Sequence, residues 1–262
     1  MSYHSGIASA FEKAADTYDV HADIQKKVAD GLIASLVPWK DAVPPGPILE
    51  VGCGTGFVTK ELISHFPDRE IVVTDLSEKM LEVCRKNLKQ SNIDLTKITF
   101  QVLNVDRFEP EDKAFGLVIS GFTPHLFKDT SLALQRLSES LKPGGIMLCS
   151  FPGNHSFPAW YEHCLELGLP HTANPLPDVE EVVVKLSMGP MQIDYYENDL
   201  HKTFDRSLDF FRYLRMTGES HSILNKTLGY KKFKLLLDHW DNKGNLNLKW
   251  HIVYVAAKRE FD

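Results

Sequence analysis

The chain has 262 residues, of which 43% are hydrophobic and 24% charged, and its formal net charge at pH 7 is −6. This length allows one large domain with a sizeable core. The acidic balance argues against nucleic acid as a partner, because nucleic-acid-binding proteins usually carry a basic excess. No apolar run is long enough to cross a membrane, and the first residues lack the features of a signal peptide. We therefore predict a cytoplasmic protein without a membrane partner.

The charge is unevenly distributed along the chain. Residues 201–234, called the basic segment below, carry a net charge of +5, so the remaining residues carry −11. A local excess of this kind can attract an acidic partner through electrostatic complementarity.

The cysteine spacing does not indicate a metal site. Cys53, Cys84, Cys149 and Cys164 lie far apart and lack the paired spacing of zinc ligands. We predict four buried thiols and no bound metal.

The N-terminal part predicts a helix. Within residues 8–37, apolar residues recur every four positions from Val20 to Leu36, which is the spacing of an amphipathic helix. This helix is predicted to end near Pro38, where a proline-rich stretch begins. We assign residues 1–45 to a helical lid.

Strands and helices alternate through residues 46–151. Strands are predicted at 48–51, 70–75, 98–104, 115–120 and 146–151, and helices at 57–66, 77–90 and 130–141. Short apolar strands that alternate with helices indicate a parallel sheet covered on both faces. Ligands of such sheets bind at the carboxyl ends of the strands. This region is predicted to be the ligand-binding core.

The pattern changes after residue 151. Prolines break residues 152–190 into short pieces, and we interpret this region as a cap insertion. Two further strands, at 191–197 and 248–257, and two helices, at 207–217 and 230–240, are predicted to complete the sheet. We group residues 191–262 as this C-terminal part.

A glycine-rich turn follows the first predicted strand. In "ILEVGCGTGF", Gly52, Gly54 and Gly56 stand at every second position before a predicted helix. Glycine permits positive φ and a close approach of ligand to backbone. The spacing differs from the G-x-G-x-x-G of dinucleotide sites, and the Lys-Ser/Thr pair of a triphosphate loop is missing.

Two acidic residues accompany this turn. Asp75 ends the next predicted strand, where a carboxylate can accept hydrogen bonds from both hydroxyls of a ribose. The alternative is that Asp75 only caps the following helix. Glu50 lies two residues before Gly52. Two carboxylates disfavour a phosphate diester and favour a cationic ligand.

These motifs together resemble class I S-adenosylmethionine-dependent methyltransferases. The resemblance rests on "ILEVGCGTG", on Asp75 and on "LKPGGIMLCSF", and it covers residues 46–151. It implies an α/β fold with a doubly wound, mostly parallel seven-stranded sheet, and S-adenosylmethionine as cofactor. It also implies that the turn holds the methionine part of the cofactor and Asp75 the ribose. Further cofactor-binding residues by this resemblance are Leu76, Asn104, Val105 at the adenine end, and Ser120.

Two other segments indicate the chemical class of the methyl acceptor. "FEKAADTYDVHADIQKKVADGL" and "SLDFFRYLRMTGES" resemble malonyl-acyl-carrier-protein O-methyltransferases of biotin synthesis. The resemblance implies the free carboxylate of a malonyl thioester as acceptor, bound to acyl carrier protein or CoA. His125-Leu126-Phe127 replaces the family's Leu-Gln-Trp segment, so another small carboxylate, an amine or a hydroxyl stays an alternative. Binding to nucleic acid is not supported, because the Asn/Asp-Pro-Pro-Tyr/Phe motif is missing.

The reaction predicts few catalytic groups. An ionised carboxylate is already nucleophilic and needs only alignment and exclusion of water. Tyr18, His21 and Gln25 share one side of the predicted lid, with Tyr18 closest to the methyl group by family resemblance. Docking of the lid on the core is the alternative role for Tyr18 and His21. Arg212 is the predicted grip for the acceptor carboxylate, with Arg215 as second choice.

The basic segment is predicted to bind an acidic acyl carrier protein. A solvated surface is the alternative role for its charges. Two different classes of function stay open, namely a dinucleotide-dependent oxidoreductase and a non-catalytic cofactor-binding adaptor.

Overall fold

The computed structural model describes residues 3–110, 113–222, 224 and 226–260, in which seven strands form one sheet. The strands are β1 (Ile48–Val51), β2 (Ile71–Asp75), β3 (Ile98–Val102), β4 (Phe115–Gly121), β5 (Leu141–Pro152), β6 (Met191–Thr203) and β7 (Asn247–Arg259). Their order is β3-β2-β1-β4-β5-β7-β6. The first five strands pair in parallel, and β7 pairs antiparallel with β5 and β6. This confirms the predicted doubly wound, mostly parallel sheet.

Ten α-helices occupy the described part of the chain. They are α1 (Tyr3–Ala14), α2 (Tyr18–His21), α3 (Asp23–Leu36), α4 (Phe57–His65), α5 (Glu78–Gln90), α6 (Thr130–Glu139), α7 (Pro158–Glu166), α8 (Val179–Ser187), α9 (Ser207–Met216) and α10 (Tyr230–Lys243). Most predicted helices agree with these bounds within a few residues. Within the described ranges, no helix combines the length and the apolar character that a membrane span needs.

The N-terminal region differs from the single helix that was predicted. It forms α1, α2 and α3, and Ala22, with φ −83° and ψ 46°, leaves helical geometry between the last two. This break turns Val20 outward, so that its side chain is 80% exposed although it was assigned to the apolar face. The spacing by fours holds only within α3, where Ile24, Val28 and the following apolar residues are buried.

Both faces of the sheet are covered, because successive strand residues point to opposite sides. Ile48 packs in the cluster that contains the apolar face of α3, whereas Leu49 packs in the cluster that contains α6. The residues predicted as one cap divide between these faces. Trp160 of α7 belongs to the first cluster and Val182 of α8 to the second.

Candidate functional site

The predicted glycine turn connects β1 to α4 and needs glycine at three positions. Gly52, Gly54 and Gly56 have φ of 76°, 53° and 100°. Residues with a Cβ atom rarely adopt such positive φ. The turn leads directly into Phe57, the first residue of α4.

The surroundings of the three glycines differ. A Cβ atom on Gly52 would overlap the side chain of Thr123, and one on Gly56 would lie 2.8 Å from Cys84 Sγ. A Cβ atom on Gly54 would meet nothing within 4 Å, because this glycine borders an open pocket. Gly52 and Gly56 therefore serve packing, whereas Gly54 leaves space that a ligand can fill.

The pocket lies at the carboxyl ends of the parallel strands, as the topology predicts. It is lined by eight of the eleven residues predicted for the site, namely Tyr18, Glu50, Gly52, Gly54, Asp75, Leu76, Asn104 and Val105. Three predicted residues, Gly56, Ser120 and Arg212, do not line it. The predicted residues therefore converge on one pocket, although other polar lining residues, such as His4, Asp106 and Thr123, were not predicted.

Asp75 holds two loops together at the end of β2. Its Oδ2 accepts a hydrogen bond from the Gly54 N–H at 2.9 Å, and its Oδ1 accepts one from the Ser77 N–H at 2.8 Å. Burial raises the pKa of Asp75 to about 6, while hydrogen bonds from Ser77, Gly54 and Leu76 act in the opposite direction. Asp75 therefore caps local structure and is also a lining residue of the pocket.

Glu50 is a buried carboxyl group with unused acceptor capacity. Its side chain is 1% exposed, lines the pocket and has no hydrogen-bond partner for Oε2. Burial raises its pKa to about 8, although a hydrogen bond with Thr59 lowers it, and the nearby charge of Asp75 raises it further. A cation in the pocket would stabilise the ionised carboxylate at this position.

Asn104 follows β3 and shapes the far end of the pocket. Its Oδ1 accepts a hydrogen bond from the Asp106 N–H at 3.1 Å, so the amide oxygen that was predicted to bind a ligand already has one donor. Asp106 in turn lies 2.6 Å from His4 Nε2, which ties α1 to this edge. Val105 is buried beside Asn104 and lines the pocket.

Residues of α1, α2 and α3 line one side of the pocket. Tyr18 is 9% exposed, and its ring centroid lies 6.3 Å from that of Phe57. Burial raises the pKa of the Tyr18 phenol well above its usual value, so the hydroxyl keeps its proton. Gln25 also lines the pocket, whereas His21, predicted on the same side, does not.

A polar network behind the lid was not predicted from the sequence. Gln25 Nε2 donates to Glu219 Oε1 at 2.6 Å, and the Tyr213 hydroxyl donates to Gln25 Oε1 at 3.0 Å. Burial raises the pKa of Glu219 to about 7. Glu219 lies within the "SLDFFRYLRMTGES" segment, but it is 194 residues from Gln25, so no local signal identifies their contact.

Arg212 is not positioned to act in the pocket. Its Nη1 lies 2.9 Å from Asp209 Oδ1 on the same helix, and 58% of its side chain is exposed. The prediction of a buried cation that grips a carboxylate is not supported at Arg212, because its local partner and solvent already satisfy it. Ser120 is also not a lining residue, since its hydroxyl donates to the Val51 carbonyl oxygen at 2.8 Å and joins β4 to β1.

The remaining wall of the pocket is mainly apolar. Its aromatic members could be partly foreseen, because Phe57 follows the glycine turn and the "GFTPHLF" segment follows β4. Within the described residues, neither lysine nor arginine lines the pocket. The apolar lining includes Ile7, Phe11, Ala29, Phe57, Val58, Phe122, Leu126 and Phe127.

Comparison with known proteins points to methyl transfer. The family model described as "Methyltransferase domain" matches residues 48–145. A malonyl-[acyl-carrier protein] O-methyltransferase of Priestia megaterium is 30% identical over 232 residues, 82% of this chain and 81% of that protein. A protein of the same description from Magnetococcus marinus is 28% identical over 252 residues, 94% of this chain and 89% of that protein.

A solved structure shares the fold. The structure of the YcgJ protein from Bacillus subtilis superposes with a TM-score of 0.63 at 13% identity, over 89% of this chain and 100% of that chain. The similarity to the two O-methyltransferases covers 82% and 94% of this chain, so it includes residues outside the 48–145 core.

Proposed function

Since the chain belongs to the same S-adenosylmethionine-dependent methyltransferase family as the malonyl-[acyl-carrier protein] O-methyltransferases, we propose that it methylates the free carboxylate of a malonyl thioester. The observation that carries this proposal is the pocket that Gly54 leaves open beside the unpartnered Glu50 Oε2. A cationic ligand fits this arrangement, because it would pair with a carboxylate that otherwise loses its hydration.

The residues that would hold S-adenosylmethionine follow the length of the pocket. Gly54 admits the ligand to the backbone, Glu50 supplies negative charge, and Asp75 offers lone pairs to ribose hydroxyls. Asn104 and Val105 border the adenine end by family resemblance. When bound, S-adenosylmethionine supplies a methyl group on a positively charged sulfur.

The apolar wall favours an anionic acceptor. The charges of a carboxylate and of a sulfonium disappear together when a methyl ester forms. A site with little water disfavours the separated charges more than the transition state, in which both charges are already partly neutralised, so the barrier falls. Phe11, Phe57 and Phe122 are among the side chains that would exclude water here.

Tyr18 is the proposed positioning group for the acceptor. Its hydroxyl stays protonated because the phenol is buried, so it can donate a hydrogen bond to one carboxylate oxygen while the other reacts. Its ring, packed near Phe57, would also shield the reacting atoms from solvent. These roles need no proton transfer, since the attacking oxygen is already ionised.

An amine acceptor is the second candidate. Glu219 places a carboxyl group behind Gln25 with a pKa of about 7, and such a group can accept the proton that an ammonium must lose before its nitrogen attacks the methyl group. The charge around the pocket thus leaves both acceptor classes chemically reasonable, whereas the sequence relatives favour the carboxylate.

A transfer assay with matched acceptors tests the proposal. The purified chain is incubated with labelled S-adenosylmethionine and malonyl-acyl carrier protein, malonyl-CoA, acetyl-CoA or a series of small amines. We expect label in the malonyl thioesters as an alkali-labile methyl ester, and none in acetyl-CoA, which lacks the carboxylate. Label only in amines would replace the first candidate by the second.

We predict that Asp75→Asn weakens S-adenosylmethionine binding by roughly ten- to a hundredfold, because it removes a charged acceptor worth about 1.5 to 3 kcal/mol. It should also lower the melting temperature, since Asp75 accepts from the Gly54 and Ser77 N–H groups. Calorimetric titration and thermal unfolding measure the two effects. Binding that equals the wild type would show that the ribose is held elsewhere.

We propose that an acyl carrier protein docks on the first turns of α10. Lys202 pairs with Asp23 at 2.8 Å, and Asp209 lies near both Arg206 and Arg212. Asp23 and Asp209 therefore reduce the net positive charge that the region around α9 can offer to an acidic partner. The exposed lysines Lys231, Lys232 and Lys234 lie on α10 instead.

We predict that reversing Lys231 and Lys232 to Glu lowers kcat/KM for malonyl-acyl carrier protein several-fold and flattens its salt dependence. Turnover of malonyl-CoA should stay near the wild-type value, because a surface charge mainly affects the association of a charged protein partner. Steady-state kinetics at two salt concentrations measure both substrates. Equal losses for both would contradict a docking role.

A further inference from the structure

A second group of chemically active side chains lies between α7 and α10. His163 and Glu166 are three residues apart on α7, and His239 faces them from α10. One potential ligand atom from each residue lies within 4.8 Å of the other two. None of the three lines the pocket proposed for the methyl donor.

The distances converge on one carboxylate oxygen. His239 Nε2 lies 2.7 Å from Glu166 Oε2, and His163 Nδ1 lies 3.9 Å from the same atom. His163 is only 6% exposed, and its Nδ1 has no hydrogen-bond partner. A buried imidazole nitrogen without a partner is costly unless something binds it.

The packing fixes the orientation of the buried imidazole. The ring centroid of His163 lies 5.0 Å from that of Trp240 and 5.4 Å from that of His239. Trp240 is fully buried, so this wall of the site is rigid. Glu166 and His239 are partly exposed, with 47% and 25% of their side chains accessible, so an ion can reach the site from solvent.

Two imidazole nitrogens and one carboxylate oxygen form a donor set that suits zinc. With zinc–ligand bonds of about 2.1 Å, two tetrahedral ligand atoms stand ~3.4 Å apart. The two distances to Glu166 Oε2 fall on either side of this value. Small rotations of the two exposed side chains would therefore create the required geometry.

We propose that His163, Glu166 and His239 bind one Zn²⁺ ion, with water completing the coordination, and that this ion joins α7 to α10. The three ligands come from two helices, and none of them lines the methyl-donor pocket. Zinc binding would add to stability, because the three ligands come together only in the folded chain.

Lys243 provides a way to distinguish a zinc site from a cluster of ion pairs. Its Nζ lies 3.4 Å from Glu166 Oε2, so its ammonium competes with a metal ion for the same carboxylate. Removal of this cation should favour the metal, because like charges repel at this distance. A purely structural ion-pair cluster predicts no gain in zinc affinity from that change.

The test uses the full chain without a histidine tag, freed of metal with a chelator. Isothermal titration with Zn²⁺ should show one ion per chain and a higher melting temperature. His239→Gln and Glu166→Gln should each weaken zinc binding at least tenfold, while His201→Gln, at an exposed position on β6, should leave it unchanged. Lys243→Met should strengthen it several-fold.

Titration with Co²⁺ provides a spectroscopic check, since its visible absorption reports ligand number and geometry. Absence of zinc binding in the wild type would overturn the proposal. Binding that survives both His239→Gln and Glu166→Gln, or that weakens in Lys243→Met, would overturn it equally.

Discussion

Gly54→Val is expected to abolish S-adenosylmethionine binding, with at least a hundredfold loss of affinity, while the chain still folds. A Cβ atom at this position meets no protein atom within 4 Å and would instead occupy the pocket. Valine also resists the φ of 53° that Gly54 adopts, at a cost of about 1 to 3 kcal/mol. The filled space and the strained φ both affect the segment of backbone that would contact the ligand.

Calorimetric titration and thermal unfolding separate loss of the site from loss of the fold. Gly52→Ala and Gly54→Ala form a matched pair of controls for stability. The Cβ atom of Gly52→Ala would overlap Thr123, so this variant should be less stable than Gly54→Ala. A Gly54→Val chain that binds S-adenosylmethionine normally would show that the turn has only a structural role.

The strands and the glycine turn could be predicted because their signals are local. A buried parallel strand needs a mainly apolar sequence, and β4 has such a run at 117–119, whereas β1 is apolar except for Glu50. The turn needs glycine where φ is positive, and its three glycines are visible in the sequence. Asp75 and Glu50 could be assigned to the pocket because they lie beside these elements.

Other features depend on packing that no local pattern records. The break at Ala22 interrupts a spacing that reads as one helix, and it exposes Val20. Arg212 matched a family segment, yet its partner is Asp209 on the same helical turn. Glu219 reaches Gln25 only because the chain after α9 returns to the lid.

The same reason explains why the proposed zinc site could not be predicted from the sequence. His163 and Glu166 are close in sequence, but their third partner, His239, comes from another helix. The spacing of cysteines, on which the prediction of no metal relied, carries no information about this group.

Glu50→Gln is expected to change stability and donor binding in opposite directions. The pKa of Glu50 is about 8 in the folded chain, raised by burial from an ordinary value near 4.5. The folded state therefore holds a proton that the unfolded state releases between these values. The contribution of protonated Glu50 to the free energy of unfolding is fully present below pH 4.5 and is lost as the pH rises through about 8.

Glutamine does not titrate, so Glu50→Gln should escape this loss. The free energy of unfolding of the variant, relative to wild type, should increase from about pH 5 to 8 and then level off. The difference at the upper end is on the order of 4 kcal/mol, and relaxation of the pocket would reduce it. Urea unfolding across this range measures it, with Glu12→Gln as an exposed control on α1.

Donor binding by Glu50→Gln should weaken, because the variant cannot supply a negative charge. In the wild type, affinity for S-adenosylmethionine should rise with pH as Glu50 ionises, since a bound cation favours the carboxylate. The variant should lose roughly tenfold in affinity near pH 8, about the value of a charged hydrogen bond, and should lose much of this pH dependence.

Binding of S-adenosylhomocysteine shows which positive charge of the donor Glu50 stabilises. Compared with S-adenosylmethionine, this ligand has a neutral sulfur and the same ammonium group. If Glu50 acts on the sulfonium, affinity for S-adenosylhomocysteine should vary less with pH and should change little in Glu50→Gln. Equal pH dependence for both ligands would place Glu50 beside the ammonium group. A variant that binds S-adenosylmethionine as tightly as wild type at every pH would show that Glu50 is buried for structural reasons alone.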